Sequence, residues 1–246
     1  ALTYLRCGLN QLTSLDVSQN TALTELICYR NVYLSLDVTQ NTALTRLYFE
    51  NVYLQSFDLT QNTALTYLNW KGNNPNSFGG INYLDLSQNT ALDTLIYYYP
   101  TSLDLSQNTA LTYLECNSSQ ITSLDLSQNT ALTKLSWYNN QITSLDLTQN
   151  TALTYLNCEN NQLTSLVLAN NIPLKYIDCS NNNLTTLDLS YNSVLSYIKC
   201  RNNELNTLNV DFALALDSLF CNNNRLTSLD VSQNTALTHL WCYQNQ

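Results

Sequence analysis

Carboxylates and thiols are the groups in this sequence that could do chemistry, and both are set out along a ruler. Aspartates stand at Asp16, Asp37, Asp58, Asp85, Asp104, Asp125, Asp146, Asp188 and Asp230, and cysteines at Cys7, Cys28, Cys116, Cys158, Cys179, Cys200, Cys221 and Cys242. Carboxylates offer acid–base work or hard-cation ligation; thiols offer disulfides, zinc or nucleophilic attack. The spacing speaks against most of these. Successive marks are mostly 21 residues apart, whereas zinc sites gather their ligands in tight CxxC pairs. His239 is the single histidine, and no GxSxG, HExxH, Walker or GxGxxG motif is present. Glu115 and Asp178 share one outward register, as a glycosidase pair would. A ladder, however, places many carboxylates on one face by default. The expectation is a protein that is not an enzyme, with no catalytic residue, no metal and no cofactor.

The aspartate column still needs an explanation. Unit charges about 4.8 Å apart on neighbouring rungs repel by about 1 kcal/mol in water and about 3.5 kcal/mol at an effective dielectric of 20. Flanking hydroxyls such as Ser123 and Ser127 can donate to each carboxylate; alternatively, calcium can sit between rungs. The glycine-rich calcium loops of other solenoids are missing, which favours the hydroxyls. The cysteines read as core. Phe49, Trp70, Tyr97 and Trp137 occupy the same mark, which fits an apolar slot and not half of a disulfide. All eight thiols are expected inward and unbridged.

Elements that hold such marks in register follow from the repeat. With Leu153 as position 1 and Cys158 as position 6, apolar residues fall at positions 1, 4, 6, 11, 14, 16 and 21. Leu156-Asn-Cys158 and Leu145-Asp-Leu147 alternate with a period of two, the signature of extended chain with one side inward. Helical spacing does not persist anywhere. Each repeat is therefore two short extended segments joined by two turns, and no single repeat buries its own core. Asn recurs at position 9 (Asn10, Asn31, Asn140, Asn161, Asn182, Asn203, Asn224, Asn245) and at position 19 (Asn20 through Asn234). Amides at turns can bond the backbone of adjacent coils, so two asparagine ladders are expected.

Leu153-x-x-Leu156-x-Cys158-x-x-Asn161 and Leu163-x-x-Leu166-x-Leu168-x-x-Asn171 each carry the pattern Leu-x-x-Leu-x-Leu-x-x-Asn. Ile121-x-x-Leu124-Asp125-Leu126-x-x-Asn129 is the commoner form of the second half. This nesting resembles the bacterial leucine-rich repeats of the 21-residue, IRREKO-type class. The resemblance implies a leucine-rich repeat solenoid, mostly β, with parallel strands, short turns, little helix and about 11–12 coils. It also implies a bacterial surface or secreted protein that binds other macromolecules.

The array reads as one domain over 1–246, with irregular coils at 70–103. Six extra residues fall between Trp70 and Leu84, where Gly72 to Gly80 should bulge as a loop, and the next unit is two residues short through Tyr97–Pro100. The chain opens and closes in mid-repeat without capping units, which reads as a piece of a larger protein. No apolar run is long enough for a membrane helix. A net charge of −9, from 18 acidic and 9 basic residues, opposes nucleic acid and anionic membranes.

Comparing repeats separates scaffold from payload. Ser-Leu-Asp-Leu-Ser/Thr-Gln-Asn-Thr-Ala recurs almost verbatim, while positions 3, 5 and 7 differ on every rung. All three are expected to point outward from one strand. The candidate partner-binding residues are Tyr29, Tyr48, Tyr67, Lys71, Tyr98, Tyr113, Glu115, Lys134, Tyr138, Tyr155, Glu159, Tyr176, Lys199, Arg201, Phe220 and Trp241. Tyr, Trp and Arg are enriched at interfaces. A face about 50 Å long and about 13 Å wide offers about 700 Å², near the roughly 800 Å² per partner of a standard interface. The leading reading is an extracellular or cell-surface recognition module whose partner is a protein, with a glycan as the other candidate. A structural spacer that presents another domain is the runner-up.

Overall fold

The computed structural model describes residues 1–31, 35–52, 54, 56–72, 81, 83–118 and 121–246. These form two compact units, Ala1–Ile121 and Thr122–Gln246. In the first, strands β1 (Tyr4–Arg6), β3 (Glu25–Asn31), β5 (Arg46–Val52), β6 (Tyr67–Lys71), β7 (Thr94–Tyr98) and β8 (Tyr113–Asn117) pair in that order, all parallel. A small second pairing joins β2 (Ser14–Asp16) to β4 (Ser35–Asp37). In the second unit, β9 (Lys134–Ser136), β10 (Tyr155–Asn157), β11 (Tyr176–Asp178), β12 (Tyr197–Lys199), β13 (Ser218–Phe220) and β14 (His239–Trp241) form the same parallel ladder. Each unit is a leucine-rich repeat solenoid, and no helix occurs among the described residues.

Register follows the ruler. Tyr155 pairs with Tyr176 and Tyr176 with Tyr197, each 21 residues on. The alternation buries positions 4 and 6: Leu156, Cys158, Ile177 and Cys179 are all fully buried. Phe49, Trp70, Tyr97 and Trp137 lie in the same core slot as the thiols. Each buried Leu or Ile contributes about 1.5–3 kcal/mol, and only stacking of rung on rung buries it.

The cysteine ladder is complete but for one member. Seven thiols are buried and unbridged, whereas Cys242 is exposed. It directly follows Trp241 of β14, the edge strand of the sheet. The expected second extended segment is likewise only partly present. Beyond β2 and β4 no strand forms there among the described residues. In the second unit the rungs there share single bonds, such as Asn183 N–H to Leu163 O at 2.9 Å and Glu204 N–H to Leu184 O at 2.9 Å.

Both asparagine ladders form, and they differ. At position 9, Asn182 donates to the carbonyls of Cys158 and Cys179 at 3.0 and 3.1 Å, and its Oδ1 accepts the Leu163 N–H at 2.9 Å. At position 19, Asn171 donates to Leu147 O and Asn150 O at 3.1 and 2.9 Å. Its own buried Oδ1 meets no donor among the described residues. The loop expected from Gly72 to Gly80 lies, apart from Gly72, outside the described residues.

Candidate functional site

Within each unit the variable residues gather along the long sheet, where strand alternation sets positions 3 and 7 outward and rung pairing sets equivalent residues side by side. In the second unit this produces an aromatic stack. Tyr155 and Tyr176 lie face to face with centroids 4.4 Å apart and planes within 7°, and Tyr176 and Tyr197 follow at 4.9 Å and 13°. Phe220 and Trp241 extend the row at 5.5 and 5.1 Å with increasing tilt. Such pairs contribute about 0.5–1.5 kcal/mol beyond burial.

A charged cluster flanks the stack. Arg201 Nη2 donates to Glu159 Oε1 at 3.0 Å, and Asn181 Nδ2 donates to the same oxygen at 3.1 Å. Lys199 Nζ stands 3.8 Å from Asp178 Oδ2, and 5.3 and 5.7 Å from the ring centroids of Tyr197 and Phe220. Asp178 is buried, with its Oδ1 accepting the Ser180 N–H at 3.1 Å. Burial pushes its carboxyl above the usual range, and the Ser180 N–H offsets that only in part. Lys134 lies in register beside Tyr155 on β9 and is exposed, and Tyr138 lies just beyond that strand, half-buried.

The first unit gathers a second set. Arg46 covers the Tyr67 ring at 4.2 Å and stands 3.7 Å from Glu25, and Lys71 lies 5.1 Å from the Tyr98 centroid. Tyr98 hydrogen-bonds Glu115, which also accepts from the Tyr113 hydroxyl at 2.6 Å and Asn117 Nδ2 at 3.0 Å. Glu115 is thus held by two phenols and an amide on its own unit, while Asp178 belongs to the other. Tyr29 and Tyr48 meet edge to face at 6.3 Å, and Tyr48 donates to Glu50 at 2.6 Å. That bond and burial push the Tyr48 phenol up to about 12.

Position 5 departs from expectation. Asn69, Ile96, Ser136 and Asp178 are buried, although the alternation aims them outward. Asn69 Nδ2 reaches the hydroxyl of Tyr67, two residues earlier on the same strand, at 3.4 Å, and Lys199 on the next rung lies 3.8 Å from Asp178. Position 8 carries a feature that the alternation does not reveal. Leu9, Arg30, Asn51, Tyr99, Ser118, Asn139, Asn160, Asn181, Asn202, Asn223 and Gln244 all have positive φ, between 51° and 64°. Asn tolerates the left-handed region best among side-chain-bearing residues. In the second unit these amides bond across rungs, as from Asn160 to Asn139 at 2.8 Å. Six of these eleven corners are Asn, which is the signal in the sequence that marks them.

The aspartate column occupies the other half of the rung. Relief of its charge comes first from backbone, since the N–H of position 17 donates to Oδ1: Ser18 to Asp16 at 2.9 Å, Ser87 to Asp85 at 2.9 Å, Ser190 to Asp188 at 2.9 Å. Hydroxyls add to this, as when Thr60 and Thr148 donate at 2.7 Å. These bonds hold Asp16, Asp37, Asp85, Asp104, Asp146, Asp188 and Asp230 below the usual carboxylate range. Among the described residues no group of His, Cys, Asp or Glu has the arrangement to hold a metal ion. Charge divides between the two halves. All nine basic residues stand at positions 1–10, whereas positions 11–21 carry ten acids and no base.

A parallel ladder with these buried marks is that of a leucine-rich repeat protein of the bacterial, 21-residue kind, and this chain is one. It is similar to the functional domain of InlJ from Listeria monocytogenes, which includes a cysteine ladder, with 37% identity and a TM-score of 0.86. The likeness covers 100% of this chain but only 59% of that one. An internalin, InlF, also from Listeria monocytogenes, is 21% identical with a TM-score of 0.76, over 99% of this chain and 81% of that one. A leucine-rich repeat protein of Leptospira interrogans is 22% identical with a TM-score of 0.66, over 96% of this chain and 76% of that one. These two share the fold. No family model and no curated protein sequence matches the chain.

Proposed function

We propose that residues 1–246 are a single non-enzymatic recognition array of a bacterial surface or secreted protein, and that a protein partner docks on the long-sheet face. The observation that carries this is the contrast between the two halves of each rung. One half repeats Ser-Leu-Asp-Leu almost unchanged, while the other carries pre-ordered Tyr, Arg and Glu that differ rung by rung. Stacked aromatics beside a charged pair, such as Tyr197 and Phe220 around Lys199 and its partner Asp178, are the composition of interface hot spots. A glycan partner fits less well. Sugar stacking needs an open ring face, and both faces of Tyr176 are taken by Tyr155 and Tyr197.

The test is affinity capture from an extract of cell-surface proteins, followed by measurement on the captured protein. Wild type is compared with a Tyr155→Ala/Tyr176→Ala/Arg201→Ala variant and an Asp146→Asn/Asp188→Asn variant. Loss of binding in the first alone supports the reading. Loss in the second alone places the partner on the aspartate side and overturns it.

A further inference from the structure

We infer that the first unit holds a receptor site for a carboxylate side chain of the partner protein, built around Arg6 and Arg30. This rests on the reading of the long-sheet face as a protein-binding face. The site is an open concavity of about 420 Å³ lined by Arg6, Ile27, Tyr29, Arg30, Tyr48 and Glu50. That volume lies within the range of small-ligand pockets. It exceeds one carboxylate, and the apolar surface of Ile27, Tyr29 and Tyr48 can take the stem or the neighbouring residue of an acidic segment.

The pairing pattern of the arginines singles this place out. The chain has five. Arg46 is paired with Glu25, Arg201 with Glu159 and Arg225 with Glu204. Of the other two, Arg6 is on the edge strand β1, and Arg30, whose rung is flanked on both sides by rungs of this chain, has no carboxylate partner among the described residues; none of the remaining residues is acidic. These two line the same concavity. Arg6 uses one N–H on the Tyr29 hydroxyl, at 3.0 Å. A guanidinium has five such donors in a planar fork that matches a carboxylate.

The surroundings are built to keep Arg6 in place. Gly8 allows the Tyr29 ring to lie across the first rung, since a Cβ there would sit 2.2 Å from a ring carbon. The Arg6 guanidinium is 5.6 Å from the centroid of that ring. Arg30 occupies a left-handed corner, φ 51°, at the position where Asn stands in six other rungs. Glu50 is the one acid in the lining, and it is engaged by the Tyr48 hydroxyl at 2.6 Å. The lining has two positive charges against one negative, on a chain whose net charge is −9. An acidic peptide is repelled by the chain as a whole, so saturable binding here needs a dedicated site.

The experiment titrates the full chain at low salt with acetylated hexaglutamate, following the arginine Nε–H signals by NMR. Acetylated hexaglutamine, glucuronate and N-acetylneuraminate are the comparison probes. Hexaglutamate is expected to saturate and to move the two signals assigned by Arg6→Gln and Arg30→Gln, each substitution weakening it at least about tenfold. Gly8→Ala, which displaces Tyr29 without touching a charge, should weaken it as well. Glu50→Gln should tighten it, because a like charge is removed. Both arginines are exposed, so their variants should fold. No shift with hexaglutamate, equal affinity in the arginine variants, weaker binding in Glu50→Gln, or binding of the acid sugars alone would each overturn the proposal. The probe is a defined peptide, so this site can fail while the Tyr155/Tyr176/Arg201 capture succeeds, and the reverse.

Discussion

The buried side-chain carbonyl of Asn182 accepts the backbone N–H of Leu163, nineteen residues earlier, at 2.9 Å. This bond separates the two asparagine ladders, because Asn171 on the other ladder uses only its amide nitrogen. Asn182→Ala strands a buried N–H as well as the carbonyls that it served. Asn171→Ala removes two donors but also an oxygen with no protein donor, and Ala213 already occupies this ladder naturally. Asn182→Ala should therefore cost about 2–4 kcal/mol and Asn171→Ala about 1 kcal/mol. Urea unfolding midpoints measure the difference; equal losses would mean the acceptor bond is unimportant.

Asp178 should make the fold more stable once its charge is removed. Its folded-state carboxyl lies above the usual range because of burial. A raised value means the stability it contributes is complete below the unfolded pKa, near 3.9, and is lost as pH rises through the folded one. Asn157, one rung earlier, shows that an amide fits, since its Oδ1 accepts the Glu159 N–H at 3.0 Å. Asp178→Asn is expected to melt higher than wild type at pH 7, with the gap closing toward pH 3. A gap that does not change with pH would assign the effect to packing.

The aspartate column works in the opposite sense. Asp146, Asp188 and Asp230 are held below the usual range, chiefly by backbone N–H groups. Depressed values give stability that is present above the unfolded pKa and lost as pH falls through the folded one. A triple Asp→Asn variant at these positions should lose less of its melting temperature between pH 5 and about pH 2 than wild type does. Millimolar calcium should leave wild-type melting nearly unchanged, because a ligand of the folded state would raise it.

Thiol accessibility follows the ladder. In denaturant without reductant, thiol titration should find close to eight groups. In the folded protein only Cys242 should react quickly, since burial holds Cys158, Cys179 and Cys200 protonated well above the ordinary thiol value. Cys242→Ser should abolish the fast phase. Four or fewer groups in denaturant would refute the unbridged core.

How much was legible in the sequence depended on whether a feature repeats. Leu156, Cys158, Asn161 and Asn171 recur at fixed marks, so rung stacking alone assigns them to core or ladder. Asp178 could not be placed in this way. Its burial depends on how far Tyr176, Ser180 and Lys199 reach, and side-chain reach is not periodic. Tyr155, Tyr176 and Tyr197 were visible as neighbours, but their ring angles were not. The left-handed corners at Asn160 and Asn181 were masked by the ladder Asn beside them. The pairing of three arginines, which leaves Arg30 over, needs cross-rung distances.

The position-19 bonds hold their partners while the chain between them changes length. Asn41 reaches back 24 and 21 residues to its two carbonyls, Asn89 reaches 30 and 27, and Asn108 reaches 22 and 19. What matters to each rung is therefore the arrival of the ladder atom and not the path taken to it. Residues 102–110 and 123–131 are identical in sequence, so the two segments are interchangeable in register. Insertion or removal of a whole 21-residue unit would therefore keep the ladder atoms in register on either side. The number of rungs then sets the length of the strand face independently of the side chains displayed on it.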